Sequence, residues 1–184
     1  MKTFMFAVCA LVLMFSLAHV AKAQSEAAAI ITVSVEEVLV VDPVDGDWGI
    51  MGIGNTYVLT PSGFKVPTGP GESAGDQFDP PGFEITGNFN EQVLCRMTFP
   101  PGLDNTDGPG GRIALSNWTY GWNADADPTA TFQSSGPVVG DQVIGVIGDG
   151  VFGIYFGATN TVPITATGGT YEGNLVLSAS YVSQ

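Results

Sequence analysis

The stretch "VIGVIGDGVFGIYF", Val143 to Phe156, sets the fold class. Two apolar runs rich in β-branched and aromatic residues flank Gly148-Asp149-Gly150, and that triplet supplies the positive φ angles of a tight reversal. The reading is a β-hairpin joining strands at 142–147 and 151–157. The same pattern recurs along the chain, where 25 Gly and 12 Pro punctuate short runs of Val, Ile, Thr, Phe and Tyr. No segment sustains a 3.6-residue apolar stripe. "SEAAAIITVSVEEVL" starts with helix formers but passes into period-two alternation at Ile31, Val33 and Val35. Further strands are expected near 29–41, 55–60, 64–66, 83–87, 92–99, 112–120, 129–134 and 172–182. "TGNFNEQ" (86–92) is a second turn signal, and the Gly- and Pro-rich stretches 66–82 and 100–111 read as long loops. Regularly punctuated strands of this length belong to an all-β antiparallel sandwich or barrel.

Residues 1–23 stand apart from this pattern. Lys2, an apolar run from Phe4 to Leu17 and the triplet Ala21-Lys22-Ala23 compose a secretory signal peptide with cleavage expected before Gln24. No later run is apolar enough to cross a membrane as a helix. Residues 24–184 then make one domain, long enough to bury a substantial core. Cleavage removes Lys2, Lys22 and His19, and it leaves Lys65, Arg96 and Arg112 against all 18 acids of a chain whose formal charge is −13. A field of that sign repels phosphate backbones and argues against nucleic-acid partners. Without histidine, the usual general base and the commonest zinc ligand are both missing. Cys95 is the one cysteine left after cleavage. It alternates with Val93, Met97 and Phe99 in "QVLCRMTF", which reads as a buried thiol on a strand face.

Two clusters invite a binding role. Asn123, Asp125 and Asp127 in "NADADP" place oxygens at alternate positions, as the opening of a calcium loop does. Pro128 and Ser134 then break the pattern where it needs Gly and Glu, so calcium is a low-ranked cofactor beside turns in which Asx side chains cap their own backbone. "NWTYGW" (117–122) puts Trp118, Tyr120 and Trp122 on one face of an extended strand. That face is either a sugar-stacking platform or, preferred here, part of the core or of a contact between subunits. Asn117-Trp118-Thr119 is also a glycosylation sequon. No phosphate loop, nucleophile elbow or zinc motif is present, and no carboxylate pair stands out for glycoside hydrolysis, so the expected class is non-enzymatic.

The final stretch, "FGIYFGATNTVPITATGGTYEGNLVLSASY" (152–181), carries a further pattern. Gly157, Ala158 and Thr159, followed by Gly169, Tyr171, Gly173 and Tyr181, resemble the closing motif of a bacterial family of secreted domains, domain of unknown function 4402. "FEITGNFNEQVLCRMTFP" and "WGIMGIGNTYVLTPSG" resemble its upstream strands, so the resemblance spans roughly residues 27–184. The chain departs from the family pattern in its 66–82 insertion and in Trp48, where Phe is usual. The resemblance implies an immunoglobulin-like, pilin-like β-sandwich and no catalytic residues.

In pilin-like subunits, the resemblance further implies, a C-terminal alternating strand with a near-terminal Tyr pairs with a chaperone or neighbour, and an N-terminal extension fills the next subunit's groove. Leu175, Leu177 and Tyr181 would be the assembly face of the last strand. Ile31, Val33 and Val35, within Gln24 to Val41, would be the extension's anchors, unless 29–41 is the sandwich's own first strand. The expected function is an exported surface or fibre subunit partnered by β-strand addition, with a glycan-binding module as the alternative.

Overall fold

A computed structural model describes residues 39–68, 76–140 and 142–182, all within the unit Glu36–Gln184. Every regular element among the described residues is a strand. In chain order these are β1 (Val40–Val44), β2 (Thr56–Leu59), β3 (Phe64–Pro67), β4 (Asp76–Gln77), β5 (Gly82–Thr86), β6 (Gln92–Thr98) and β7 (Gly102–Asn105). They continue as β8 (Ile113–Asn123), β9 (Ser134–Pro137), β10 (Gln142–Val146), β11 (Val151–Thr161), β12 (Tyr171–Glu172) and β13 (Val176–Tyr181).

The strands form two antiparallel sheets. In the larger, β11 pairs with β8 along one side and with β5 and then β2 along the other. Beyond these the sheet continues through β3 and β4 at one end and through β7 and β12 at the other, while β1 joins β5 and β9 joins β8. The smaller sheet has three strands in the order β10-β6-β13. Phe83, Ile85, Trp122, Phe152, Ile154 and Phe156 of the larger sheet share one core with Val93, Cys95, Met97 and Val143 of the smaller. The all-β sandwich is thus the architecture, and its driving force is the burial of large apolar side chains from both inner faces.

The turn at the centre of the deciding stretch has the conformation expected, yet the hairpin does not form. Asp149 and Gly150 both adopt positive φ (47° and 87°), as a type I′ turn requires. Gly148 and Val151 exchange backbone hydrogen bonds of 3.1 and 2.9 Å across it. Pairing stops there, because β10 goes to β6 and β11 goes to the other sheet. Gly145 lies directly against the ring of Phe152, so closely that a Cβ at 145 would overlap the ring. The two runs therefore lie face to face instead of side by side. Both carry inward apolar residues (Val143, Ile147, Phe152 and Ile154), and opposing sheets bury all four together. "TGNFNEQ" behaves the same way, with β5 in one sheet and β6 in the other.

A bulge in β8 decides which way the aromatic stretch faces. Gly157 pairs with Thr119 but Thr159 pairs with Ser116, so Asn117 and Trp118 together oppose Ala158. Asn117 takes φ 48°, the left-handed conformation that a residue at such a bulge adopts. Without the extra residue, period-two alternation would send Trp118 to the face opposite Leu115. With it, Ile113, Leu115, Trp118, Tyr120 and Trp122 all turn inward. The inner face then continues into a second buried cluster of Tyr57, Leu59, Ile113, Val162 and Ala166, packed by Trp48 and Met51.

Three other expectations need correction. The strand expected at 129–134 is instead Ser134–Pro137, because Phe132 is drawn onto the outer face over Gly121 and Tyr155. The segment 172–182 is divided into β12 and β13, which pair in different sheets. The loops 66–82 and 100–111 contain β4 and β7, whose ladders are short and extend existing sheet ends.

Candidate functional site

Of the expected assembly residues, Leu175, Leu177 and Tyr181 lie along one edge of the sandwich. In β13 the burial alternates, with Leu177, Ala179 and Tyr181 half-buried against the core and Val176, Ser178 and Ser180 exposed. Leu175, one residue before the strand, packs on the same core. Among the described residues β13 pairs with β6 alone, in unbroken register from Val176 opposite Thr98 to Tyr181 opposite Val93. Val182 N–H donates to the Gln92 carbonyl at 2.9 Å. By antiparallel alternation, residues 176, 178 and 180 also bond to β6, while the amides of Leu177 and Ala179 face away from it.

Edges of this kind are commonly blunted by charge, proline or a bulge. β1 carries Asp42 and Pro43, and β4 has only two residues. "VLSASY" has none of these devices over its 6 residues. The Tyr181 hydroxyl accepts the Asn88 N–H at 2.8 Å, and both that hydroxyl and the Leu39 side chain abut Gly87, where β5 leaves for β6. The chain therefore enters the described fold beside the end of β13. Ile31, Val33 and Val35 lie outside the described residues.

Trp118, Tyr120 and Trp122 do share one face, as their spacing predicts, and that face is the inward one. Trp122 is 9% exposed and contacts Phe152 edge-on, with ring centroids 5.2 Å apart. Trp118 lies 4.6 Å from Phe99 and 6.3 Å from Trp48, centroid to centroid. These rings pack between the two sheets, Trp122 buried and Trp118 and Tyr120 in part.

Asn123, Asp125 and Asp127 build a turn. Asn123 is fully buried; its amide nitrogen donates to the Asp127 carbonyl at 2.6 Å and its oxygen accepts the Asp127 N–H at 3.3 Å. Asp127 Oδ1 accepts from the Thr129 N–H (2.8 Å) and hydroxyl (2.7 Å), and these bonds hold its carboxyl below the usual carboxylate range. Asp125 is exposed. Among the described residues no three His, Cys, Asp or Glu side chains are grouped to hold a metal ion.

Cys95 is buried between the sheets, where loss of hydration pushes its thiol up to about 12, so it packs as an apolar residue. One acidic pairing was not visible in the sequence. Asp47 and Asp79 exchange backbone hydrogen bonds of 2.9 and 3.2 Å and line a shallow cleft with Ser62, Gln77, Phe78 and Thr129. Asp79 lies in the expected loop 66–82, and nothing in its spacing points to Asp47. Asp47 Oδ1 accepts the Gly49 N–H at 2.8 Å, a local turn contact.

No family model, curated protein or solved structure matches this chain.

Proposed function

We propose that this chain is an exported, non-enzymatic surface or fibre subunit of the immunoglobulin-like, pilin-like type, as its resemblance to domain of unknown function 4402 implies, and that it associates by strand addition at β13. The observation that supports the reading is the β13 edge: six uncharged, proline-free residues that pair with β6 alone among the described residues, with the Leu177 and Ala179 amides directed away from it. Their inward side chains already pack, so an added strand supplies main-chain bonds without reorganising the core.

The test uses two proline variants of the full chain. Ala179→Pro removes an N–H directed away from β6, a placement edge strands tolerate, whereas Ser178→Pro removes one directed at β6. Binding of a synthetic peptide of residues 24–38 is followed by fluorescence anisotropy. The reading expects peptide binding by the native chain, lost in Ala179→Pro with its melting temperature retained, and a lowered melting temperature in Ser178→Pro. A native chain that ignores the peptide overturns it.

A further inference from the structure

The cations of the described residues have very different surroundings. Lys65 is 7% exposed; its ammonium donates to the Ile50 carbonyl at 2.9 Å and lies 5.7 Å from the Tyr57 ring centroid. Arg112 forms a two-pronged pair with Asp104, both bonds 2.7 Å. The Arg96 side chain is exposed, with no hydrogen-bonded or ionic partner among the described residues. In a chain of formal charge −13, an exposed guanidinium without a carboxylate is conspicuous.

Its setting is a nearly neutral sheet face. Arg96 stands on β6 between Gln142 of β10 and Ser178 of β13. Alternation places Ile144 and Val176 on the same outward face, where they are 55% and 57% exposed. No described acid occupies this face. A lone guanidinium flanked by exposed aliphatic side chains has the composition of a protein contact, in which arginine is a frequent anchor.

The outward face of the other sheet carries the complement. Asp42 of β1 stands directly opposite Glu84 of β5. Like charges directly opposite in an antiparallel pair disfavour the pairing, and a guanidinium fork can relieve both. Val40, on the same face, is 41% exposed. Because β5 and β6 send their inner residues into one shared core, the Arg96 face and the Asp42–Glu84 face point away from each other on opposite sides of the sandwich.

We propose that the Arg96 face binds a second copy of this chain, docking on the Asp42–Glu84 pair of the neighbour. The two surfaces are different and oppositely directed, so the contact is heterologous and repeats from copy to copy without closing. The three-stranded face measures roughly 14 by 20 Å from strand spacing and rise, an area of about 300 Å². Stable dimers bury about 800 Å² per partner, so one contact is weak and matters only when repeated in an array. This lateral contact is separate from strand addition at β13 and leaves that edge accessible.

The experiment is sedimentation of the full chain at protein concentrations up to about 1 mM, the range of a weak contact. About 0.15 M salt screens the overall repulsion beyond roughly 8 Å while sparing contacts at hydrogen-bond distance. The native chain is expected to associate, with Arg96→Glu and Asp42→Arg each weakening that association at least about tenfold. An equimolar mixture of the two variants is expected to recover it. In the mixture each reversed side chain meets a reversed partner of opposite sign, and the unaltered Arg96 of one copy meets the unaltered Asp42 of the other. Arg96→Gln keeps the test decisive should reversal perturb folding, and it too is expected to weaken association. Ala179→Pro is expected to leave association through this face intact, which separates it from the strand-addition reading. Unchanged association in Arg96→Gln, or no recovery in the mixture, overturns the proposal.

Discussion

The Tyr181 hydroxyl accepts the Asn88 N–H at 2.8 Å, so a side chain near the end of β13 caps the segment that carries the chain from one sheet to the other. The contact spans 93 residues of sequence and ties the smaller sheet's edge to the β5–β6 crossing. Tyr181→Phe keeps the ring's packing and removes the acceptor. The expected loss is about 1 kcal/mol in urea unfolding, with faster hydrogen exchange at the Asn88 amide. Unchanged exchange at Asn88 would show that the bond does not hold the crossing.

The β8 bulge rests on the left-handed conformation of Asn117. Asn117→Gly is expected to be neutral or slightly stabilising, and Asn117→Val to cost about 1–2 kcal/mol, because a β-branched residue fits that conformation poorly. Chemical denaturation midpoints of the two variants make the comparison. Equal midpoints would mean that the bulge tolerates any residue.

Gly157 lies against the backbone of Leu59 and Thr60, where β11 passes β2, and a Cβ there would overlap the Leu59 carbonyl. Gly157→Ala is expected to destabilise by at least about 1–3 kcal/mol, since backbone has to move. Gly136→Ala, at a position with open space around it, is the matched control and is expected to change stability little. Thermal unfolding of both variants checks the contrast.

The Cys95 thiol, pushed up to about 12 by burial, should resist alkylation in the native chain at mildly alkaline pH and react promptly in denaturant. In the unfolded chain a thiol ionises near pH 8.5, so the unfolded state loses its proton first. The contribution of this group is therefore fully present below about pH 8.5 and declines as pH rises from there toward 12. Cys95→Ala is expected to flatten the alkaline side of the stability profile. Rapid native-state labelling would contradict the burial.

Asp127 is held below the usual carboxylate range by the Thr129 hydroxyl and amide. Its contribution is present above the unfolded carboxylate pKa, near 3.9, and is lost as pH falls through the lower folded value. Asp127→Asn should reduce the slope of stability between mildly acidic and strongly acidic pH. Parallel acid profiles for the native chain and Asp127→Asn would remove the turn from this account.

Much of the architecture is legible in local residue order. Alternation of Val93, Cys95 and Met97, or of Leu177, Ala179 and Tyr181, specifies an extended strand and its buried side. Gly148-Asp149-Gly150 specifies a reversal, because few residues other than Gly, Asn and Asp accept positive φ. These are short-range steric and solvation effects, and the structure agrees with them.

The allocation of strands to sheets depends on distant partners. "VIGVIGDGVFGIYF" contains the correct turn, yet its flanks separate into two sheets, from which Val143 and Phe152 enter one shared core. The bulge at Asn117 is likewise invisible in "NWTYGW"; two residues of β8, Asn117 and Trp118, oppose the single Ala158 of β11, and the extra residue brings Leu115 and Trp118 to one face. For the same reason the aromatic stretch became core, and "NADADP" became a turn closed by Asn123 and Thr129. The residues alone determined that this is an all-β chain of alternating strands and glycine turns. Only the tertiary structure decided which sheet each strand joins, which face each aromatic takes and which of the described strands end a sheet, because burial and ladder pairing are collective properties that no short segment encodes.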